Sequence, residues 1–194
     1  MQRGDTKMKK KIDDPKQIGQ IMQQIKMHRQ SAMRSPFTGM LVLFCYTLWK
    51  DYKYSQAKLA KFTQDFALYE KAWLKKDYKE LEDRLFSYAE WKVEYEPVTE
   101  NDFPKYQSVV LKKFIDNEIK SQNEINELSA RYLTYGFSIM IDYGVKKRQL
   151  TNIKDKMNDR LNYISREDSD IKIMDLWTEL VEKAGIYIER PMID

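Results

Sequence analysis

The sequence predicts a mostly α protein: two duplicated three-helix units in a pseudo-twofold arrangement, each ending in a short β-strand, preceded by a basic N-terminal arm and a helix. Three observations lead there. Only six Gly and five Pro occur in 194 residues, too few for an all-β chain that turns every ten residues or so. Apolar residues recur at three- and four-residue spacing along most of the chain. The order of stripes, turns and caps in the first half also returns in the second.

Taken in order, residues 1–13 form a basic arm expected to be disordered. Asp14-Pro15 opens a helix over 14–36, with Asp as N-cap and Pro where no amide donor is lost. Ile18, Ile21, Met22 and Ile25 make its apolar stripe, and Ser35-Pro36 ends the segment. The first helical unit spans 37–97. Phe37 to about Tyr52 is apolar nearly all round and predicts a buried helix. Ser55 caps the next, with Leu59, Phe62, Phe66 and Tyr69 on one face. Asp77 caps a third, with Leu81, Leu85 and Ala89 inward. Trp91 to Tyr95 alternates apolar and charged residues, the pattern of a half-buried strand, and Pro97 stops it.

Residues 98–120 read as a connector containing a short helix over 109–115. The second unit, 121–194, opens on Ser121 and Glu124, spaced as a capping box. Its first stripe ends at Tyr143-Gly144, with Gly suited to a left-handed terminus. Leu150, Ile153 and Met157 carry the next helix. Asp170 caps the last, Gly185 closes it, and Ile186 to Glu189 reads as a second strand.

With an offset of 91, Leu48 falls on Ile139, Asp51 on Asp142, Tyr52 on Tyr143, Leu59 on Leu150, Phe62 on Ile153 and Phe66 on Met157. The offset then becomes 95, matching Leu81 to Leu176, Leu85 to Leu180, Ala89 to Ala184, Val93 to Ile188 and Glu94 to Glu189. The four extra residues fall in the polar stretch from Ser165 to Asp170, where an insertion costs little.

Folding a chain of this length buries roughly 70% of its extended surface, so no disulfide or metal staple is needed. Cys45 is the only cysteine; it lies in an apolar run, reads as a core residue and points to a reducing, cytoplasmic setting. That run is too short to span a bilayer, so no membrane association is expected.

Charge is unevenly placed. Residues 1–34 carry nine Lys or Arg against three Asp, while the remaining 160 residues hold 25 basic and 27 acidic groups. The arm, with Lys9, Lys10 and Lys11, can meet phosphates or an acidic protein. A second cationic stretch, Lys146, Lys147, Arg148 and Lys154, opens the helix after Gly144. A helix, a tight turn and a basic second helix resemble a helix-turn-helix in outline, where the second helix enters the major groove.

Catalytic sets are missing. His28 is the only histidine and has no Ser or Cys placed to partner it. Zinc needs about four ligands, and neither a Gly-rich phosphate loop nor a calcium loop is present. No cofactor or metal is expected. Glu94 and Glu189 recur at matched positions but alternate with inward residues, so they read as outward-facing. Asp51 and Asp142 precede the inter-helix turns and are expected to bond turn amides. The four Trp fall at inner positions, whereas surface Tyr suits protein hot spots and base stacking alike.

An apolar helix, Tyr143-Gly144, a basic cluster, Arg148-Gln149-Leu150 and a closing Ala184-Gly185-Ile186-Tyr187-Ile188-Glu189 together resemble small helical proteins of Gram-positive phages and mobile elements. The resemblance covers residues 37–97 and 121–191; the first unit departs from it in having Lys53 where the second has Gly144. Some phage proteins of this size and charge are anti-CRISPR inhibitors, and the resemblance implies such a role without assigning any residue to it.

The expected function is therefore that of a non-enzymatic phage or mobile-element binding protein. It would inhibit a nucleic-acid-handling host enzyme by engaging a protein, a nucleic acid or a nucleoprotein effector. Self-association is compatible with this reading. The alternative is a DNA-binding regulator using the helix from Lys146 to Lys156. An enzyme relying on Glu94 and Glu189, and a virion scaffold, stand behind these.

Overall fold

A computed structural model describes residues 14–30, 36–73, 78–103, 108–166 and 168–189, with side chains from 26 to 30 excluded. These residues form the helices α1 (Pro15–Gln30), α2 (Pro36–Tyr52), α3 (Gln56–Trp73), α4 (Lys79–Ala89), α5 (Val109–Asp142), α6 (Lys147–Ile164) and α7 (Ile173–Ala184). The mostly α class is as the sequence predicts. No described helix is long and apolar enough to cross a membrane. The basic arm over 1–13 and the expected cap Asp77 lie outside the described residues.

The chain forms two compact units. One contains α1 and the segment Glu96–Asn126. Its first helix starts as expected, with the Asp14 carboxylate accepting from the Lys16 amide at 3.0 Å. Thr99 and Asp102 cap a single 3-10 turn, Glu100–Asp102, reciprocally. Asn123 then acts as a clip: its amide donates to the Val98 carbonyl at 3.0 Å and its carbonyl accepts from the Val98 amide at 2.8 Å. Leu111 and Ile115 are buried.

The sequence places a boundary between residues 120 and 121, but α5 runs through it without a break for 34 residues, about 50 Å at 1.5 Å per residue. Ser121 and Glu124 sit mid-helix rather than at a terminus. An S-x-x-E pattern marks a start only where the preceding residues leave the helical period, and here Leu111, Ile115, Ile119 and Ile125 keep it.

The other unit holds α2, α3, α4 and the chain from Glu127 through α7. Its axis is α2, with Thr38 through Cys45, Thr47 and Leu48 all buried. Pro36 occupies the first helical position, where its missing amide is no loss. Phe44 sits at the centre, its ring 5.1 Å from Phe137 and 5.5 Å from Phe62. Gly136 makes this possible, because a Cβ there would stand 2.2 Å from the Phe44 ring. The four Trp lie half-buried against this core as predicted.

Neither predicted strand forms; no strand occurs among the described residues. The alternation that suggested them is real as burial: Ile186 and Ile188 are buried while Tyr187 is 87% exposed. Side chains replace the missing ladder partner. Trp177 Nε1 donates to the Ile188 carbonyl at 2.9 Å, and Trp91 is fixed by the Phe137 ring at 4.9 Å and by Thr151 Oγ1 at 3.2 Å. Tyr95, expected inward, is exposed. Asp170 is not a cap either. It accepts from the Tyr163 hydroxyl, and the Lys172 amide is served by Asp175 at 2.7 Å as α7 begins.

Positions separated by the two offsets behave alike. Helices α3 and α6 each have 18 residues, and their starts, Gln56 and Lys147, are 91 apart. The four positive-φ residues among the described residues pair in the same way: Lys53 (55°) with Gly144 (72°), and Glu90 (64°) with Gly185 (66°). Contacts are reciprocal too. Gln56 Nε2 donates to the Gly185 carbonyl at 2.7 Å, and its counterpart Lys147 meets Glu90 at 2.6 Å. Asp51 pairs with Arg160 at 2.6 Å, while Asp142 bonds Tyr69, the position matching Arg160.

Candidate functional site

The C-terminus of α5, its turn and the start of α6 form the one described region that contains sequence-predicted site residues. Gly144 takes the left-handed conformation that ends α5, and the Val145 amide returns to the Met140 carbonyl at 3.0 Å. Lys146, in extended conformation, precedes α6. Leu150, Ile153 and Met157 turn inward, which leaves Lys147, Arg148, Asn152, Asp155 and Asp159 on the exposed side.

Most cations of α6 are already engaged. Lys147 pairs with Glu90. Lys154 lies 3.6 Å from Asp155 and 4.8 Å from the centre of the Trp91 ring. Lys156 reaches Asp51 at 3.5 Å. Arg160 binds Asp51, donates to Thr47 Oγ1 at 2.9 Å and covers the Tyr46 ring. The segment at Glu90-Trp91 therefore lies along one flank of the helix. Lys146 and Arg148 are exposed and make no ion pair among the described residues. The structure thus brings Lys146, Lys147, Arg148 and Lys154 onto one stretch but leaves only two of them unengaged; Lys9, Lys10 and Lys11 fall outside the described residues.

A neighbouring element joins this region in a way the sequence did not indicate. Lys61 of α3 sits 4.5 Å from the centre of the Tyr143 ring, and Lys58, one turn earlier, sits 5.5 Å from that of Tyr54. Asp65 accepts from the Tyr143 hydroxyl at 2.6 Å. The only sequence hint was the abundance of Tyr, which does not say which rings lysines cover.

Tyrosine–carboxylate bonds are the other feature that sequence reasoning missed. Tyr46 donates to Glu179 at 2.6 Å, Tyr132 to Glu70 at 3.0 Å, and Tyr69 to Asp142. Burial first, then the adjacent carboxylate, pushes the Tyr46 and Tyr69 phenols up to about 12. Tyr132 and Tyr143 are raised for the same reasons. These hydroxyls are structural donors, held protonated, and are unsuited to proton transfer near neutrality.

Asp51 and Asp142, expected to bond turn amides, instead engage side chains: Arg160 and Lys156 for one, Arg84 and Tyr69 for the other. Burial opposes their ionisation, yet these partners outweigh it and both carboxyls titrate below the usual range. Glu94 and Glu189 are exposed. Cys45 is fully buried and burial raises its thiol pKa, which disfavours the nucleophilic thiolate. No group of His, Cys, Asp and Glu among the described residues is arranged to hold a metal ion. Comparison with protein-family models, curated proteins and solved structures finds no match to this chain.

Proposed function

We propose that this chain is a non-enzymatic binding protein, of the phage and mobile-element kind its sequence resembles. It works in the cytoplasm by occupying a nucleic-acid-handling host enzyme or its nucleoprotein complex, in the manner of an anti-CRISPR inhibitor. The observation that carries this reading is the engagement of the α6 cations. Lys147, Lys154, Lys156 and Arg160 are each held by a group of the same chain. A recognition helix entering a groove needs side chains free to reach base edges, and α6 would bring Asp155 and Asp159 with it. Stoichiometric inhibition of a purified effector nuclease, together with its co-elution after nucleic acid has been digested away, is the expected result. A chain that neither inhibits nor retains any such enzyme from its host would end this reading.

Exposure of Lys146 and Arg148 at the start of α6 favours a second reading, a DNA-binding regulator. It predicts a sequence-selective gel shift that Arg148→Ala removes.

We also infer that α2–α4 and the chain from Glu127 through α7 are duplicated units related by a pseudo-twofold axis. Matched positive-φ residues and reciprocal contacts support this. In an isologous interface, if i meets j then the counterpart of j meets that of i; Asp51 with Arg160 and Asp142 with Tyr69 have that form. An experimental structure in which α2–α3 cannot be superposed on the end of α5 with α6 would refute it.

A further inference from the structure

We propose that Lys58 and Lys61 of α3 join Lys146 and Arg148 beside the α5–α6 turn in one cationic surface that takes the phosphate backbone of a nucleic acid without reading its bases. Lys58 and Lys61 are three residues apart on α3 and share a face. Lys61 stands over the Tyr143 ring. Lys146 and Arg148 follow Tyr143 by three and five residues. Lys61 is thus at the turn that leads to Lys146 and Arg148, and Lys58 lies one turn along the same face of α3.

Acidic neighbours offset only part of this charge, at Lys61. Asp65 meets Lys61 only at 3.9 Å and is bonded to the Tyr143 hydroxyl. Glu90 is engaged by Lys147. Lys58, Lys146 and Arg148 are exposed and have no ion-pair partner among the described residues. Base stacking is disfavoured because an ammonium group already lies over each of the Tyr54 and Tyr143 rings, whereas base-stacking platforms need open aromatic faces. Flexible lysines approach phosphates as point charges and carry no sequence code.

This inference rests on the proposed function and supplies the nucleic-acid-facing contact of such a complex. The test uses the full chain and labelled duplexes of two unrelated sequences, with anisotropy followed over a salt series. Equal affinity for both duplexes is expected, with affinity falling steeply as salt rises. Lys58→Gln and Lys61→Gln should each make the log–log salt slope shallower by about 1. Lys71→Gln, ten residues beyond Lys61 on α3 and about 15 Å along the axis, should leave it unchanged. Circular dichroism verifies that each variant is folded.

Absence of duplex binding by the unaltered chain at low salt overturns the proposal. So does a slope indifferent to Lys58→Gln and Lys61→Gln, a preference for one duplex, or tighter binding of poly-glutamate than of either duplex. If the chain still inhibits and retains its enzyme under any of those outcomes, the surface assignment fails and the proposed function stands. Duplex binding as expected without any enzyme retained has the opposite meaning.

Discussion

Phe44 and the residues facing it show how differently the two halves of the larger unit solve one packing problem. On α2, the position after Phe44 is Cys45; 91 residues later, on α5, the position that the proposed duplication matches to it is Gly136. Both are buried. The thiol fits its place, whereas nothing larger than hydrogen fits at Gly136, because the Phe44 ring lies against the helix backbone there. Helices α2 and α5 therefore share this part of the core because α5 yields volume at Gly136. The asymmetry lies in which helix yields, and it belongs to the packing level, not to the choice of helix over strand.

The largest effect expected from this comparison comes from Gly136→Ala. Glycine costs about 1 kcal/mol relative to alanine within a helix, so propensity alone predicts stabilisation. The Cβ would overlap the Phe44 ring, and forcing extra volume into a packed core costs about 1–3 kcal/mol or more. The clash should win, lowering the urea midpoint with little change in m. Cys45→Ala, its counterpart, should cost about 1 kcal/mol through loss of a small buried group. Equal effects at the two positions would mean that the Phe44 ring shifts to admit a Cβ at Gly136.

A second comparison concerns the carboxylates that close α2 and α5. Asp51 and its partner Arg160 expose 18% and 23% of their side chains, whereas Asp142 and Arg84 each expose 41%. Asp51→Asn leaves a partly buried guanidinium without its charge partner and should cost about 1–3 kcal/mol. Asp142→Asn acts on a solvent-screened pair and should cost less than about 1 kcal/mol. Acid sharpens the contrast. Lys50, Tyr46 and Lys183, in that order, hold the Glu179 carboxyl down at about 2, and Asp51 and Asp142 are also lowered. Each of these groups binds fewer protons folded than unfolded. Their stabilisation is thus present above the unfolded carboxylate pKa values, about 3.9 for Asp and about 4.3 for Glu, and is lost as pH falls through the lowered folded values, about 2 for Glu179. Denaturation midpoints measured between those limits should fall steeply for the unaltered chain. Asp51→Asn should flatten that fall more than Asp142→Asn does, and an equal response would mean the two clasps are equally exposed.

How much of this was legible depends on whether the signal is local. Ser55, Gly144 and Gly185 act within a turn of themselves, and the helix ends they predict are where the structure has them. The buried character of α2 followed from an apolar run too long to be chance. The strands failed because period-two alternation reports which side faces the core, and Ile186 and Ile188 satisfy it without any ladder. The length of α5 was missed because a capping-box spacing can also occur inside a helix. Charge partners were the least legible. Tyr46 and Glu179 are 133 residues apart, and Thr47 and Arg160 are 113 apart; only the fold brings them together. For the candidate site, the sequence named Lys146 to Lys154 but could not foresee that Glu90 and Trp91 would engage Lys147 and Lys154, or that Lys61 would stand over the Tyr143 ring.

A small effect, and the most direct comparison of the halves, lies in the turns. Gly144 and Lys53 occupy the same left-handed conformation, with φ of 72° and 55°. An L-residue with a Cβ pays roughly 1–2 kcal/mol there, and glycine nothing. Lys53 recovers part of that through its Nζ, which donates to the Lys50 carbonyl at 2.8 Å, an exposed bond that adds little. Lys53→Gly should therefore raise stability by up to about 1 kcal/mol, the glycine's extra freedom in the unfolded chain offsetting some of the gain. Nothing lies within 4 Å of a Cβ built on Gly144, so Gly144→Lys carries the backbone cost alone and should lower stability by about 1 kcal/mol. The two substitutions exchange the left-handed residues of these turns, and their effects should be opposite in sign and similar in size when read from urea midpoints. Two destabilising results would mean that Lys53 is held by more than its own turn, and that the first half had adapted to lysine rather than merely tolerated it.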